Sequence, residues 1–201
     1  MLNFDLEIDE NVFKLKCFTN VDWIKKKFKN KELKFIDEYE KSDICIVDSN
    51  FKFKDKTRDI FKINIDELND NVDTFIGRDY VEGFLDMIEK NESEDYGVGM
   101  ADFTDIKMVA KGRLIEYLKL TLNNNDEEER IEEFRKSLKS RETCGGGILF
   151  VTRKKSKIIY NYYEILSKLY SNINIVLIAP CKMLDNIEHY VELFVFDGQT
   201  D

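Results

Sequence analysis

The sequence has very little proline, histidine and glycine. Among its 201 residues there are one proline, Pro180, and one histidine, His189, and no glycine occurs before Gly77. A zinc site or a Ser-His-Asp triad would have to be built around His189, which lies in a predicted strand where we expect a structural role. The glycine-free N-terminal half argues against the usual nucleotide-binding turn, because the backbone of that turn must approach a pyrophosphate closely.

An excess of positive charge and long apolar runs are also lacking. The formal net charge is −9, from 31 basic and 40 acidic residues, which argues against general binding to a nucleic-acid backbone. The longest apolar segments, such as Ile173–Pro180, are too short to span a bilayer. The N-terminus has neither the basic nor the apolar region of a signal peptide. We therefore expect a cytoplasmic protein without a membrane span.

The four cysteines lack the spacing of a metal site. They are Cys17, Cys45, Cys144 and Cys181, with no Cys-x-x-Cys pair among them. Two of them lie in apolar, strand-like runs, which is typical of buried free thiols in a reducing compartment. We predict no metal and no other cofactor.

The first 96 residues contain the pattern of a small α/β region. Alternating or continuous apolar runs predict strands, and apolar residues at helical spacing predict helices. The predicted strands cover 12–18, 33–36, 44–48 and 60–65; the helices cover 21–29, with Thr19 or Asn20 as N-cap, and the most regular part of 71–91, at 79–90. This order predicts a truncated Rossmann-like region over residues 1–96 that ends in a connecting helix.

The second half also mixes helix and strand patterns. The predicted helices cover 102–110, 126–140 and 155–170, the strands cover 148–152, 173–179 and 188–196, and 113–122 fits either type. Residues 141–147 include Gly145, Gly146 and Gly147 and are predicted to be a flexible connection. They follow a helix and precede a strand, whereas a phosphate-binding loop needs a helix N-terminus directed at the anion.

A loop at 97–106 joins the two halves and carries Asp102 and Asp105 at positions i and i+3. These acids could cap and charge the start of a helix. They could bind a cation, although two carboxylates without further oxygen ligands make a weak site. They could also orient a water for attack on a phosphate supplied by another molecule. The residues alone leave these three roles open.

This loop and the elements after it resemble the C-terminal half of FtsZ, the bacterial and archaeal relative of tubulin. The family's synergy loop has the pattern Gly-x-x-Asn-x-Asp-x-x-Asp, and Gly97-Val-Gly-Met-Ala-Asp-Phe-Thr-Asp105 fits it in register. The order of later elements agrees as far as residue 198. The resemblance implies that 113–122 is a strand. It also implies that 97–201 forms an α+β sandwich, with a four-stranded sheet and two to three helices, joined to the Rossmann-like region by a core helix.

The resemblance carries functional expectations as well. In FtsZ the two acids complete the GTP site of a neighbouring subunit, but this chain lacks the family's Gly-Gly-Gly-Thr-Gly-Thr-Gly motif. That combination implies a pseudo-GTPase of cell division or the cytoskeleton. It would not be an enzyme by itself and would dock on an FtsZ/tubulin-like protein or on another copy of itself. If it acted in trans, Asp102 and Asp105 would be catalytic. The implied contact residues are Gly97, Gly99, Met100, Asp102, Phe103 and Asp105, with Met100 in place of the family's asparagine.

A second hypothesis is an autonomous protein that binds or transforms a small ligand. Its site would lie in the cleft between the two halves, near the carboxyl ends of the N-terminal strands. Asp48 and Ser49 follow the third of those strands. The carboxyl ends of parallel strands are where open α/β sheets bind ligands.

Overall fold

The computed structural model describes residues 15–28, 33–54, 59–92, 103–121, 144–151, 173–180 and 190–198, together with Glu129 and Lys136. The helices predicted over 126–140 and 155–170 lie outside these ranges, apart from Glu129 and Lys136, which are helical. His189 lies outside them as well.

The strands of the described ranges form one continuous, mostly parallel sheet. In chain order they are β1 (Lys16–Thr19), β2 (Lys34–Phe35), β3 (Ile44–Val47), β4 (Phe61–Asn64), β5 (Thr74–Phe75), β6 (Gly112–Thr121), β7 (Cys144–Val151), β8 (Ile173–Pro180) and β9 (Tyr190–Phe196). Their order across the sheet is β2-β1-β3-β4-β5-β6-β9-β7-β8. β9 runs antiparallel to β6 and β7, and the other neighbouring pairs are parallel. The predicted mixed α/β class is confirmed.

The first five strands have the order of a doubly wound α/β sheet. β1 lies between β2 and β3, so the chain first builds the sheet in one direction and then returns to build it in the other. The helix α1 (Asp22–Lys27) connects β1 to β2. Such a reversal creates a crevice at the carboxyl ends of the strands on either side of it, here β1 and β3. This order fits the predicted Rossmann-like region.

The two strands after the reversal are buried along their whole length. Ile44 and Ile46 of β3 contribute to the main core on one face of the sheet, whereas Cys45 and Val47 belong to a second apolar cluster on the other face. A parallel strand inside a sheet needs such two-sided burial because both faces are covered. β4 alternates in sequence, yet its polar residues Lys62 and Asn64 are buried too.

The helix α2 (Val81–Glu92) agrees with the regular part of the predicted helix, but the preceding residues are not helical. Thr74 and Phe75 form β5, a strand that the sequence pattern does not predict. The Thr74 hydroxyl donates a hydrogen bond to the carbonyl of Gly112 at 2.9 Å, which holds this short strand to β6. Gly77 then has φ +50°, a left-handed conformation that turns the chain toward α2.

The pairing of β5 with β6 crosses the predicted domain boundary between residues 96 and 97. Thr74 pairs with Gly112 and Phe75 with Arg113, in parallel register. The sheet is therefore continuous across that boundary, and the division into domains 1–96 and 97–201 stays a prediction. β6 itself confirms the strand that the resemblance to FtsZ implied for 113–122.

The prediction of a flexible connection at 141–147 was wrong for its second half, since β7 begins at Cys144. The glycines lie inside this strand because other parts of the chain approach it closely. A Cβ on Gly145 would overlap the backbone of Gly198, and a Cβ on Gly146 would lie 2.7 Å from Cγ1 of Val109. Glycine within a strand often marks such a close approach of another backbone.

Phe84 of α2 contacts both ends of the core. Its ring centroid lies 6.5 Å from that of Phe61 on β4, 5.5 Å from that of Phe194 and 5.9 Å from that of Phe196, both on β9. All four side chains are buried, and the tilted and edge-on ring geometry is the favourable one for aromatic pairs. α2 thus packs on the N-terminal parallel strands and on the C-terminal strand β9 at once. A helix that connects two parts of a core must pack on both parts, and α2 does so.

A buried polar group lies beside α2. The Tyr117 hydroxyl donates a hydrogen bond to Oε1 of Glu192 at 2.9 Å, and Nζ of Lys119 lies 3.2 Å from the same oxygen. Burial and the Glu192 carboxylate both raise the pKa of Tyr117. A Cβ on Gly83 would lie 2.9 Å from the tyrosine hydroxyl, so the glycine in the helix makes room for this contact.

The opposite face of the sheet is covered by aromatic side chains, most of which come from the segments between strands. Phe51 lies at the centre of this cluster, with centroid distances of 5.3 Å to Phe18, 5.5 Å to Tyr39 and 5.1 Å to Phe53. Tyr39 belongs to a short 3₁₀ turn, Tyr39–Lys41. The aromatic rings replace a helix over this part of the sheet.

The predicted burial of free thiols is confirmed for Cys17 and Cys45. Burial raises the pKa of Cys45 to about 12 and also raises the pKa of Cys17. Both thiols therefore stay protonated at neutral pH and act as small apolar residues. The side chains of Cys144 and Cys181 lie outside the described part of the chain.

We expect Phe84→Ala to lower the free energy of unfolding by about 3–5 kcal/mol, because it leaves a cavity among three phenylalanines. Urea denaturation followed by Trp23 fluorescence and by circular dichroism would measure this loss. Met108→Ala, at a side chain that is 52% exposed, should change stability by less than about 0.5 kcal/mol. Equal effects of the two substitutions would contradict the central role of Phe84.

Candidate functional site

Two of the six predicted contact residues, Phe103 and Asp105, lie in the described part of the chain. Both belong to the helix α3 (Phe103–Val109). Asp105 is half-buried in the first turn, where the helix dipole favours an acid. The other four contact residues lie outside the described residues, so the N-cap role of the first acid stays a prediction: Gly97, Gly99, Met100 and Asp102.

One apolar face of α3 anchors it to the sheet. Phe103, Ile106 and Val109 are buried, and the Phe103 ring lies edge-on to Phe61 with a centroid distance of 6.1 Å. The opposite face presents Met108 to solvent. α3 therefore holds the end of the loop 97–106 at a fixed place on the surface.

A shallow cavity of about 200 Å³ lies beside the exposed side of α3. Lys107 and Met108 line it from the helix, and Asp59, Asp73 and Lys111 line it from the loops that surround the helix. Nζ of Lys107 donates a hydrogen bond to the carbonyl of Asp59 at 3.4 Å and lies 5.3 Å from the centroid of Phe103. This surface combines an apolar side chain with charges of both signs.

A second polar cluster lies at the carboxyl ends of the N-terminal strands. Asn20 follows β1, Asp48 and Ser49 follow β3, Asp66 follows β4 and Arg78 follows β5. Because these strands are parallel, their carboxyl ends meet at the same edge of the sheet. The structure thus brings the predicted Asp48 and Ser49 together with three residues that the sequence reasoning missed.

Hydrogen bonds connect all five side chains in two groups. Asn20 Nδ2 donates to Oδ1 of Asp48 at 2.8 Å, and the Asp48 amide donates to Oδ1 of Asn20 at 3.2 Å. Ser49 donates its amide and its hydroxyl to Oδ2 of Asp66, at 3.2 Å and 3.4 Å. The neighbouring residues Asp48 and Ser49 link the two groups.

Arg78 forms a bidentate ion pair with Asp66. Its Nε lies 2.6 Å from Oδ1 and its Nη2 lies 3.1 Å from Oδ2. The guanidinium is the main cause that holds the pKa of Asp66 below its usual value, and the Ser49 hydrogen bonds act in the same direction. The two charges largely compensate each other at neutral pH.

The turn between β1 and α1 differs from a phosphate-binding turn. The predicted N-cap, Thr19 or Asn20, was wrong, because Val21 is the N-cap and makes no side-chain capping bond. Thr19 Oγ1 accepts a hydrogen bond from the Val21 amide at 3.0 Å, and the Asn20 amide group is bonded to Asp48. A carboxylate hydrogen-bonded to this turn would repel a phosphate.

A simple sequence signal could have found two of the three missed residues, Asn20 and Asp66. They are polar residues that follow directly, or within a few positions, the end of a parallel strand. Asp66 could be found in this way after the predicted fourth strand. Arg78 could not, because the sequence pattern does not predict β5 and so offers no strand end before it.

A cavity of about 320 Å³ adjoins this polar cluster. It is lined mainly by aromatic and carboxamide side chains, which are Ser49, Phe51, Lys52, Phe53, Asn64, Asn69, Asn71 and Val72. All of these residues belong to the N-terminal strands and their loops. The cavity therefore lies within the Rossmann-like region.

Within the described ranges, no three histidine, cysteine, aspartate or glutamate side chains converge so that they could hold a metal ion. None of the helices in the described part of the chain combines the length and the apolar character that crossing a bilayer requires.

No protein-family model and no curated protein matches the sequence. Among solved structures, the chain is weakly similar in fold to TubZ of Clostridium botulinum phage c-st, with a TM-score of 0.38 and 12% sequence identity. The match covers 89% of this chain and 60% of the TubZ chain, so the chain spans about three fifths of the length of that protein. At this level of similarity no residue of TubZ assigns a role to a residue here.

We expect Arg78→Met to raise the pKa of Asp66 toward its ordinary value, because the guanidinium that stabilises the carboxylate is gone. A pH titration of the Asp66 carboxyl carbon by NMR would measure the change, and Arg78→Lys should give an intermediate midpoint. The ion pair stabilises the folded state at pH values above the pKa of Asp66 in the unfolded chain, which is about 4. This stabilisation is lost as the pH falls through the lower pKa that Asp66 has in the folded protein. An unchanged midpoint in Arg78→Met would contradict the assignment.

Proposed function

We propose that this protein is an FtsZ/tubulin-like interaction module without its own GTP site. It docks on an FtsZ/tubulin-type partner, or on a second copy of itself, through the loop 97–106 and the helix α3. Asp102 and Asp105 are directed at the exposed nucleotide face of the partner subunit. The protein acts in cell division or in a related cytoskeletal system as a cap or regulator of assembly.

The observation that carries the proposal is the anchoring of α3. Phe103 at the start of the helix is buried against Phe61, so the residue that follows the acid Asp102 is part of the core. Asp105 lies two residues further on, in the first turn of the same short helix. A docking loop needs such a rigid support, because a partner then binds it without a large loss of conformational entropy.

The position of α2 supports the same proposal. The resemblance to FtsZ implies a core helix that leads to the loop 97–106, here called the acid loop, and joins two parts of the molecule. α2 ends at Glu92 and packs through Phe84 on both β4 and β9. A helix in this place couples the loop 97–106 to the whole sheet.

The polar cluster at the carboxyl edge supports a function without bound GTP. At this edge of the sheet, a nucleotide-binding fold holds phosphates with backbone amides and positive charge. In this protein the Asp48 carboxylate accepts a hydrogen bond from the Asn20 side-chain amide, and the Asp66 carboxylate pairs with the Arg78 guanidinium. The groups that could hold a phosphate are therefore occupied by the chain's own carboxylates.

The exposed side of α3 supplies further contact area. Met108 is a large apolar side chain that is 52% exposed, and Lys107 and Lys111 lie beside it at the same cavity. An interface commonly has an apolar centre with a charged rim. Met108 would provide that centre beside the acid loop.

We expect the double variant Asp102→Lys, Asp105→Lys to weaken binding to a purified FtsZ-type GTPase by at least about tenfold, because charge reversal at a contact makes like charges face each other. Biolayer interferometry with GTP present would measure the affinity for that partner. Sedimentation velocity of the chain alone would test self-association through the same face.

Asp22→Lys is the matched control, because Asp22 also lies in the first turn of a helix but on α1. Asp22→Lys should lose about 0.3–1 kcal/mol of helix-dipole stabilisation, as the reversal at Asp105 does, and should leave binding to the partner unchanged. If the wild type neither binds the GTPase nor self-associates, or if both reversals act alike, the docking function is wrong. A saturable thermal shift with GTP alone would refute the absence of a GTP site.

A further inference from the structure

The 320 Å³ cavity has the composition of a small-molecule site. It opens on the face of the sheet opposite α2, where the aromatic loop after β3 meets the loop between β4 and β5. Phe51 and Phe53 supply its apolar surface, and Asn64 and Asn69 supply hydrogen-bonding groups. Ligand pockets typically combine apolar walls with a few polar groups of fixed orientation.

The orientation of the two carboxamides is fixed by the backbone. Asn64 is only 2% exposed, and its Oδ1 accepts hydrogen bonds from the amides of Asp66 and Glu67 at 2.8 Å and 3.0 Å. Oδ1 of Asn69 accepts a hydrogen bond from the Asn71 amide at 3.0 Å. Because both oxygens are used, the NH₂ group of each side chain is what remains for a ligand.

Neither NH₂ group has an acceptor among the described residues, and Asn64 is almost completely buried. The cavity is therefore lined by two side chains whose NH₂ groups can donate hydrogen bonds to the oxygens of a ligand.

Positive charge adjoins the same cavity. Lys52 lines it, and Nζ of Lys62 lies 4.9 Å from the centroid of the Phe53 ring that forms its wall. Lys62 is 8% exposed and has no carboxylate in ion-pair distance among the described residues. The carboxylate of Asp66 is already paired with Arg78, while Glu67 and Asp70 are exposed and screened by solvent.

We propose that this cavity binds a small, flat carboxylate, such as an aromatic organic acid. Its carboxylate oxygens accept hydrogen bonds from the NH₂ groups of Asn64 and Asn69, with Lys52 and Lys62 supplying the opposite charge. Its ring packs on Phe51 and Phe53. The site is separate from the acid loop and α3, so it is independent of the proposed docking function.

Benzoate is the probe that tests this site, and NMR or isothermal titration of the full chain measures its binding. We expect saturable binding in the millimolar range or tighter. Benzamide has the same ring and size but no charge, and it should bind at least about tenfold more weakly. Inorganic phosphate should not displace benzoate, because phosphate has no ring to pack on Phe51 and Phe53 and would bind through charge alone.

Asn64→Asp is the decisive variant. It keeps an oxygen for the amides of Asp66 and Glu67, but it replaces the NH₂ donor with a negatively charged oxygen, so benzoate should bind at least about tenfold more weakly. Asn50→Asp makes the same change at an exposed residue outside the cavity and should bind benzoate like the wild type. Lys62→Met, which keeps the packing and removes the charge, should also weaken binding.

The proposal is overturned if benzoate does not bind, if benzamide binds equally well, or if phosphate displaces benzoate. It is equally overturned if Asn64→Asp and Lys62→Met leave the affinity unchanged. If Asn64→Asp does not fold, Asn69→Asp makes the corresponding change in the loop. The Asp102→Lys, Asp105→Lys double variant should retain benzoate binding, so failure of the docking function would not be confused with failure of this site.

Discussion

The packing of Phe84 against Phe61, Phe194 and Phe196 is the interaction on which the rest of the structure depends. Phe84 lies on α2, and its partners come from β4 and β9, which are far apart in sequence and lie on different sides of the predicted domain boundary. Their burial fixes α2 across the sheet, and the hydrogen bonds between β5 and β6 make the sheet continuous beneath it. The two halves therefore contribute to one core, and α3, which follows the loop, packs on that core through Phe103, Ile106 and Val109.

The two candidate surfaces lie on different sides of this core and have different chemistry. On the α3 side, an anchored helix presents Asp105 and an exposed Met108, which suits contact with another protein. On the other side, fixed carboxamides, two phenylalanines and Lys52 line a cavity, and Lys62 lies near one of its aromatic walls, which suits a small anion with a flat ring. Asp66, which accepts hydrogen bonds from the lining residue Ser49, is compensated by its ion pair with Arg78.

Much of the fold could be predicted because local patterns decide it. The continuous apolar run at 44–48 predicts a strand buried on both faces, and the helical spacing at 79–90 predicts α2. β5 could not be predicted, since its two residues gain their strand conformation from pairing with β4 and β6. The strand state of Cys144–Gly147 was missed for a similar reason, because three glycines have no strand preference of their own and are held by neighbouring strands.

The sequence by itself determined the mixed α/β class, the burial of Cys17 and Cys45, and the position of Asp105 in the first turn of a helix, because each depends on residues close together in the chain. Only the tertiary structure decided which polar residues share a site. Arg78 meets Asp66 because parallel strands bring distant loops to one edge of the sheet, and Lys62 of β4 lies 4.9 Å from the ring of Phe53 in a loop. That register is set by long-range packing, which a local pattern does not contain.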